Sequence, residues 1–193
     1  MSFWHLLLVL FCLLPVSRDV EAGWQDVAAP THSAPGYFRF PALTDDGVVF
    51  TAEGDLWRVP LRGGDAVRLT TQAGEESHAS VSPDGSLVAF SASFEGPTEV
   101  YVMRLEGVSK PTRLTYEAES AIVVGWTRDG QVLYTTRRHS DLPGMHLASV
   151  HPETRATQIV PLALASDGDY DESGRTLYFT RFPFQGSFTK RYQ

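Results

Sequence analysis

Ser82-Pro83-Asp84-Gly85, followed by the apolar run Leu87-Val88-Ala89-Phe90, is the clearest of four copies of one punctuation mark in this chain. Thr44-Asp45-Asp46-Gly47 precedes Val48-Val49-Phe50, Thr127-Arg128-Asp129-Gly130 precedes Val132-Leu133-Tyr134, and Asp171-Glu172-Ser173-Gly174 precedes Leu177-Tyr178-Phe179. In the clearest copy Pro83 presets the backbone for a type I turn, and Gly85 accepts the left-handed conformation that closes a hairpin. The first two copies end alike, in Arg68-Leu69-Thr70 and Arg113-Leu114-Thr115. A period of about 40 to 45 residues is that of a four-stranded propeller blade, in which each unit buries a sheet face against the next.

The first unit reads as strands at 38–43, 48–52, 56–60 and 66–70, with Gly63-Gly64 turning the last hairpin. The second repeats the scheme at 79–81, 87–91, 99–103 and 111–115, placing Trp57 and Tyr101 at equivalent third-strand positions suited to filling the wedge between blades. The third, from Ile122 to about Pro161, inserts a loop at 137–144 before a strand at 145–150. The fourth begins near Asp169-Tyr170, and the sequence stops at Gln193 before that blade is complete. The expectation is an all-β chain, a β-propeller of four-stranded antiparallel blades with about three and a half blades present. They occupy about 37–70, 78–115, 121–161 and 168–193, after an N-terminal arm at 23–36.

Residues 6–14 form a short apolar run followed by Pro15 and then Val20-Glu21-Ala22, a pattern suited to signal-peptidase cleavage. The run is well short of the ~20 residues that span a bilayer. Residues 1–22 therefore read as an export signal, and the mature chain as periplasmic or secreted; no Lys or Arg precedes the run, and a cytoplasmic chain is the alternative if the segment does not work as a signal. Cys12, the only cysteine, lies inside the run, so a chain cut after Ala22 has no thiol for disulfides, thiolate metal sites or nucleophilic catalysis. The net charge of −7, and only two lysines, Lys110 and Lys190, argue against a nucleic-acid partner, which calls for a basic face.

Residues with chemical potential mostly have simpler explanations. Gly107-Val108-Ser109-Lys110-Pro111 lacks the last glycine of a nucleophile elbow and sits where Gly63-Gly64-Asp65 makes a turn. His78, Ser80, Ser82 and Asp84 have the residue types of a triad but fall in a repeat strand and its turn. His139, Asp141 and His146 lie in or beside the third unit's insertion without the spacing of a metal site. Asp167, Asp169 and Asp171 alternate like the start of a calcium loop, yet Glu172 replaces the turn glycine and Tyr178 the closing glutamate. No catalytic, cofactor-binding or metal-binding residue is assigned, and no cofactor is expected.

Gly36-Tyr37-Phe38-Arg39-Phe40-Pro41, Gly54-Asp55-Leu56-Trp57-Arg58-Val59-Pro60, Arg68-Leu69-Thr70, Gly96-Pro97-Thr98-Glu99-Val100-Tyr101-Val102, Val124-Gly125-Trp126 and Lys190-Arg191-Tyr192 follow one another in the order shown by tricorn-type proteases. From Gly36 to Gln193 the chain resembles the opening propeller of that family. The resemblance implies a six-bladed ring at the head of a large serine peptidase that continues with a second propeller, a PDZ-like module and a catalytic core. It implies that this segment is non-catalytic and gates peptide or unfolded polypeptide substrates, with the remainder of the parent chain as partner and a homo-oligomer possible. A TolB-like propeller that binds proteins without catalysis is the alternative from another class, and the N-terminal propeller of a prolyl-oligopeptidase-like enzyme is a further one. Intact-mass analysis of exported material should give a mature N-terminus at Gly23; a soluble cytosolic product retaining Met1 would contradict both cleavage and export.

Overall fold

The computed structural model describes residues 37–107, 109–138 and 144–181; the leader, the arm, His139 and Asp141 in the insertion, and the closing Lys190-Arg191-Tyr192 lie outside them. Each turn glycine starts a hairpin, and the hairpins assemble into antiparallel sheets in sequence order. The first sheet holds β1 (Arg39–Leu43), β2 (Gly47–Ala52), β3 (Asp55–Pro60) and β4 (Val67–Arg68). The second holds β5 (Glu76–Val81), β6 (Leu87–Ala92), β7 (Glu99–Arg104) and β8 (Thr112–Arg113). The third holds β9 (Ile122–Trp126), β10 (Val132–Thr136), β11 (His146–Val150) and β12 (Thr157–Ile159), while β13 (Ala165–Tyr170) and β14 (Leu177–Arg181) begin a fourth. The protein is all-β, a partial propeller. The first strands pack in succession, β1 on β5, β5 on β9 and β9 on β13, so they form the inner wall from which the blades fan outward.

Burial along the strands follows from this stacking. A sheet covered on one face alternates, as β2 does, whereas a sheet sandwiched between two others must be apolar on both faces. In β6 and β7 that second pattern holds: Val88, Phe90 and Ala92 pack with Val49 and Leu56 of the first blade, while Ala89, Val100 and Val102 pack with Val123, Trp126 and Tyr134 of the third. Tyr101 fills the wedge and stacks on Phe90, with ring centroids 6.0 Å apart. Its counterpart Trp57 remains half-buried on the first blade's outer face, near the exposed Tyr37, Phe38 and Val67.

Ser82-Pro83-Asp84-Gly85 forms the turn its residues specify. Gly85 has φ +72° and donates its N–H to the Ser82 carbonyl at 2.8 Å. Asp84 accepts hydrogen bonds from the Ser82 hydroxyl at 2.6 Å and from both N–H and hydroxyl of Ser86, which hold its carboxyl down at about 2. The strand ends differ from those read in the sequence. β4 and β8 shrink to two residues because a threonine side chain takes over the ladder: the Thr70 hydroxyl accepts the Leu56 N–H, and the Thr115 hydroxyl the Val100 N–H, each at 2.9 Å. β5 starts at Glu76 rather than Ala79, since Glu76 donates its N–H to the Gly54 carbonyl at 2.9 Å, and β13 starts at Ala165 rather than Asp169.

The repeated Arg-Leu-Thr is held by a carboxylate at the head of the third strand. Glu99 is fully buried; it accepts from Arg113 Nη2 at 2.9 Å, from the Thr115 hydroxyl at 2.6 Å and from the Glu117 N–H at 3.1 Å. Arg113 itself lies over the Tyr116 ring, 4.3 Å from its centroid. Removing one partner of such a buried pair leaves the other charge uncompensated, typically at a cost of about 3–5 kcal/mol. Glu99→Ala should therefore lower stability by about that amount, read as a fall in the urea midpoint, while Glu95→Ala at the exposed end of the same arginine should cost less than about 1 kcal/mol.

Candidate functional site

In every blade the inner strand carries a bulge, marked by register shifts between Arg39 and Ala42, Ser77 and Ser80, the β9 partners of Leu133 and Tyr134, and Ala165 and Asp167. A bulge bends a strand and re-aims a side chain. The residues seven positions before the four turn glycines, at 47, 85, 130 and 174, are Phe40, His78, Val123 and Asp167. Phe40 and His78 have φ of 50° and 52°, a left-handed conformation that costs bulky residues on the order of 1–3 kcal/mol. Their rings lie 4.0 Å apart between centroids, tilted by 33°. Arg39 lies over the rings of Tyr37 and Phe40, at 5.4 and 5.7 Å.

His78 is half-buried, and its Nδ1 lies 3.0 Å from the Ser77 hydroxyl. Burial lowers its pKa; the charge of Asp167 opposes that shift and the charge of Arg39 adds to it. Asp167 belongs to the fourth blade and His78 to the second, so the two act on each other along the inner wall past the third. That wall borders a cavity of about 670 Å³ lined by Ser80, Pro83, Gly125, Trp126, Asp169 and Tyr178, among others. Trp126 donates its indole N–H to the Ser80 carbonyl at 2.9 Å, tying β9 to β5 at its edge.

The residues noted in the sequence separate in space by role. Ser82 is engaged by Asp84 and by the Leu87 N–H within the turn, while His78 contacts Ser77 and Phe40. Ser109 accepts the Arg104 N–H at 3.2 Å, and Gly107 has φ +79°, as the turn between β7 and β8 requires. Asp171 accepts the Ser173 hydroxyl and the N–H groups of Arg175 and Thr176, closing the fourth hairpin; these bonds lower its pKa. His146 heads β11, and its Nε2 is buried without a hydrogen-bond partner among the described residues. Among the described residues no group of three His, Cys, Asp or Glu side chains is placed to hold a metal ion.

Sequence reasoning missed Glu76. It stands nine positions before Gly85, where the next two blades have the buried alanines Ala121 and Ala165, and that mismatch was the available signal. Glu76 is fully buried; it accepts the Leu56 N–H at 3.0 Å and the Thr70 hydroxyl, and its Oε1 has no partner among the described residues. Burial raises its carboxyl to about 7, the bonds from Thr70 and Leu56 counter this, and nearby Asp55 adds to the rise.

Stacked four-stranded meanders, inner strands side by side and a repeated turn define a β-propeller. The tricorn protease N-terminal β-propeller domain family matches residues 35–193, and the chain belongs to that family. Tricorn protease homolog 1 of Streptomyces coelicolor is 42% identical over 102 residues, covering 52% of this chain and 10% of the relative. The chain thus spans about a tenth of that curated relative's length. The crystal structure of the tricorn protease superposes with a TM-score of 0.59 at 22% identity, over 72% of this chain and 14% of that one. TolB from Acinetobacter baumannii superposes with a TM-score of 0.63 at 19% identity, over 77% of this chain and 39% of that one.

Glu76 makes the seam between the first two blades sensitive to pH. Its folded pKa of about 7 lies above the ordinary 4.5, so the folded state holds the proton more tightly. The resulting stability is complete below about pH 4.5 and is lost as pH rises through about 7. The free energy protecting the Leu56 amide from hydrogen exchange should fall by about 2–3 kcal/mol between pH 5 and pH 8, and Glu76→Gln should remove that dependence.

Proposed function

We propose that this chain is the substrate-admitting part of a tricorn-like serine peptidase, itself without catalytic residues, with the chemistry carried by the remainder of the parent chain. The observation that carries the reading is the inner wall: β1, β5, β9 and β13 pack side by side, each with a bulge within a few residues of its turn, and β5, β9 and β13 border one open cavity. Membership in the tricorn N-terminal propeller family supports it. So does the engagement of Ser82, Ser109 and Asp171 in turns rather than in a nucleophile–base pair. Bulged inner strands present side chains to whatever enters a propeller, so the contribution is selection: peptides and unfolded polypeptides are admitted and folded proteins excluded. Residues 1–22 fit this function as an export signal that places the peptidase in the periplasm or outside the cell.

The isolated segment should not hydrolyse a fluorogenic tripeptide, whereas the continuous parent should, and a serine-directed inhibitor should abolish that activity. The parent should leave a folded protein intact. Cleavage by the segment itself would overturn the placement of the chemistry, and an inactive parent would favour the non-enzymatic binding propeller.

A further inference from the structure

Phe40 and His78 are the most unusual pair on the inner wall. They occupy the same repeat position in adjacent blades, both are bulky residues at positive φ, and their rings meet at 4.0 Å. Strain at equivalent positions of a repeat, where glycine would relieve it, indicates that the side chains rather than the turn geometry are what the bulges hold in place. The core does not require them: the packed cluster between these blades is built from Val49, Leu56, Val88, Phe90, Ala92, Tyr101, Met103 and Leu105. Both residues are half-buried, so neither is sealed inside the core.

Two charges act near the rings. Arg39 lies over Phe40, 5.7 Å from its centroid, and the charges of both Arg39 and the fourth blade's Asp167 act on His78. Burial favours the neutral imidazole, so the pair presents a largely apolar surface. An extended polypeptide crossing this layer would offer polar groups to the Arg39 guanidinium and one side chain to the rings. Offset aromatic contacts contribute about 0.5–1.5 kcal/mol beyond area burial, which corresponds to roughly two- to twelvefold in affinity.

We propose that the Phe40–His78 pair is a side-chain recognition site on the propeller's inner wall, which selects polypeptide segments carrying an aromatic residue. The site rests on the reading of this wall as a passage for peptides, and it specifies which peptides are held there.

The test measures binding of fluorescein-labelled decapeptides to the full-length protein by anisotropy, comparing a Gly-Ser peptide with one central Phe to the same peptide with Ser at that position. The Phe peptide should bind about three- to tenfold more tightly, and the difference should shrink to less than about twofold in Phe40→Leu and in His78→Asn. Asn tolerates positive φ, which makes His78→Asn the gentler of the two changes. A decapeptide with p-benzoylphenylalanine at the central position, irradiated with the unaltered protein, gives a readout that needs no variant. Its cross-links should map to residues 37–42 and 76–80. Equal binding of both peptides, a preference unchanged in both variants, or cross-links confined to the outer strands would overturn the site while leaving the passage intact. Failure of either peptide to bind at all would overturn the site and the passage together.

Discussion

A buried carboxylate at the head of the third strand, gripping the Arg-Leu-Thr that follows, sets how one blade is tied off before the next begins. In the second blade Glu99 completes the latch alone, reaching Arg113, Thr115 and the backbone of Glu117. In the first, Asp55 is one methylene shorter; it pairs with Arg68, and Glu76 from the following blade supplies the acceptor for Thr70 and Leu56. In the third, the backbone bond from Val160 to Leu147 marks the same register, but His146, Ile159 and Pro161 stand where the carboxylate, arginine and threonine would be. There Leu133, Leu147 and Ala165 hold the seam by apolar packing instead. Desolvating the carboxylates is expensive; Glu99 offsets it with donors to both oxygens and Asp55 with the Arg68 guanidinium, whereas Glu76, with one oxygen unpartnered among the described residues, is the group that titrates near neutrality.

The latches leave the inner strands free to vary. Because the second blade is buried on both faces and fixed at its outer end, its inner strand can bulge and hold His78 at positive φ without the sheet giving way. Strain of this kind persists only where surrounding structure over-determines it. The rigid seams and the strained inner wall are thus two parts of one arrangement, the first holding the second in shape.

The architecture was legible because turns and periodicity are local signals. Pro83 and Gly85 specify their hairpin from sequence alone, and four such turns at blade spacing leave few alternatives for the sheets between them. Arg68 to Thr70 and Arg113 to Thr115 were visible as repeats, but their partners were not: Glu99 lies 14 residues before Arg113, and only the fold brings it under the guanidinium. The short β4 and β8 escaped for the same reason, since a threonine hydroxyl in place of a ladder bond has no propensity signature. Phe40 and His78 read as ordinary strand residues, because a bulge depends on cross-strand register and a stack across a blade seam has no sequence period. The tricorn resemblance, resting on specific strings such as Asp55-Leu56-Trp57, pointed to the family directly.

The most direct test of the account is to obstruct the inner wall without touching the latches. Ser80 lines the wall, and no cysteine occurs after Cys12, so Ser80→Cys in a parent whose other thiols are blocked or absent offers one attachment point for a bulky maleimide–polyethylene glycol. The measurement is the rate of hydrolysis of an unfolded polypeptide before and after modification, alongside the rate at which a serine-directed inhibitor labels the catalytic centre. The account predicts that modification slows polypeptide hydrolysis at least about tenfold, a barrier increase of about 1.4 kcal/mol, while inhibitor labelling is unchanged. Undiminished hydrolysis by the fully modified protein would contradict the assignment of this propeller as the route by which substrate is admitted.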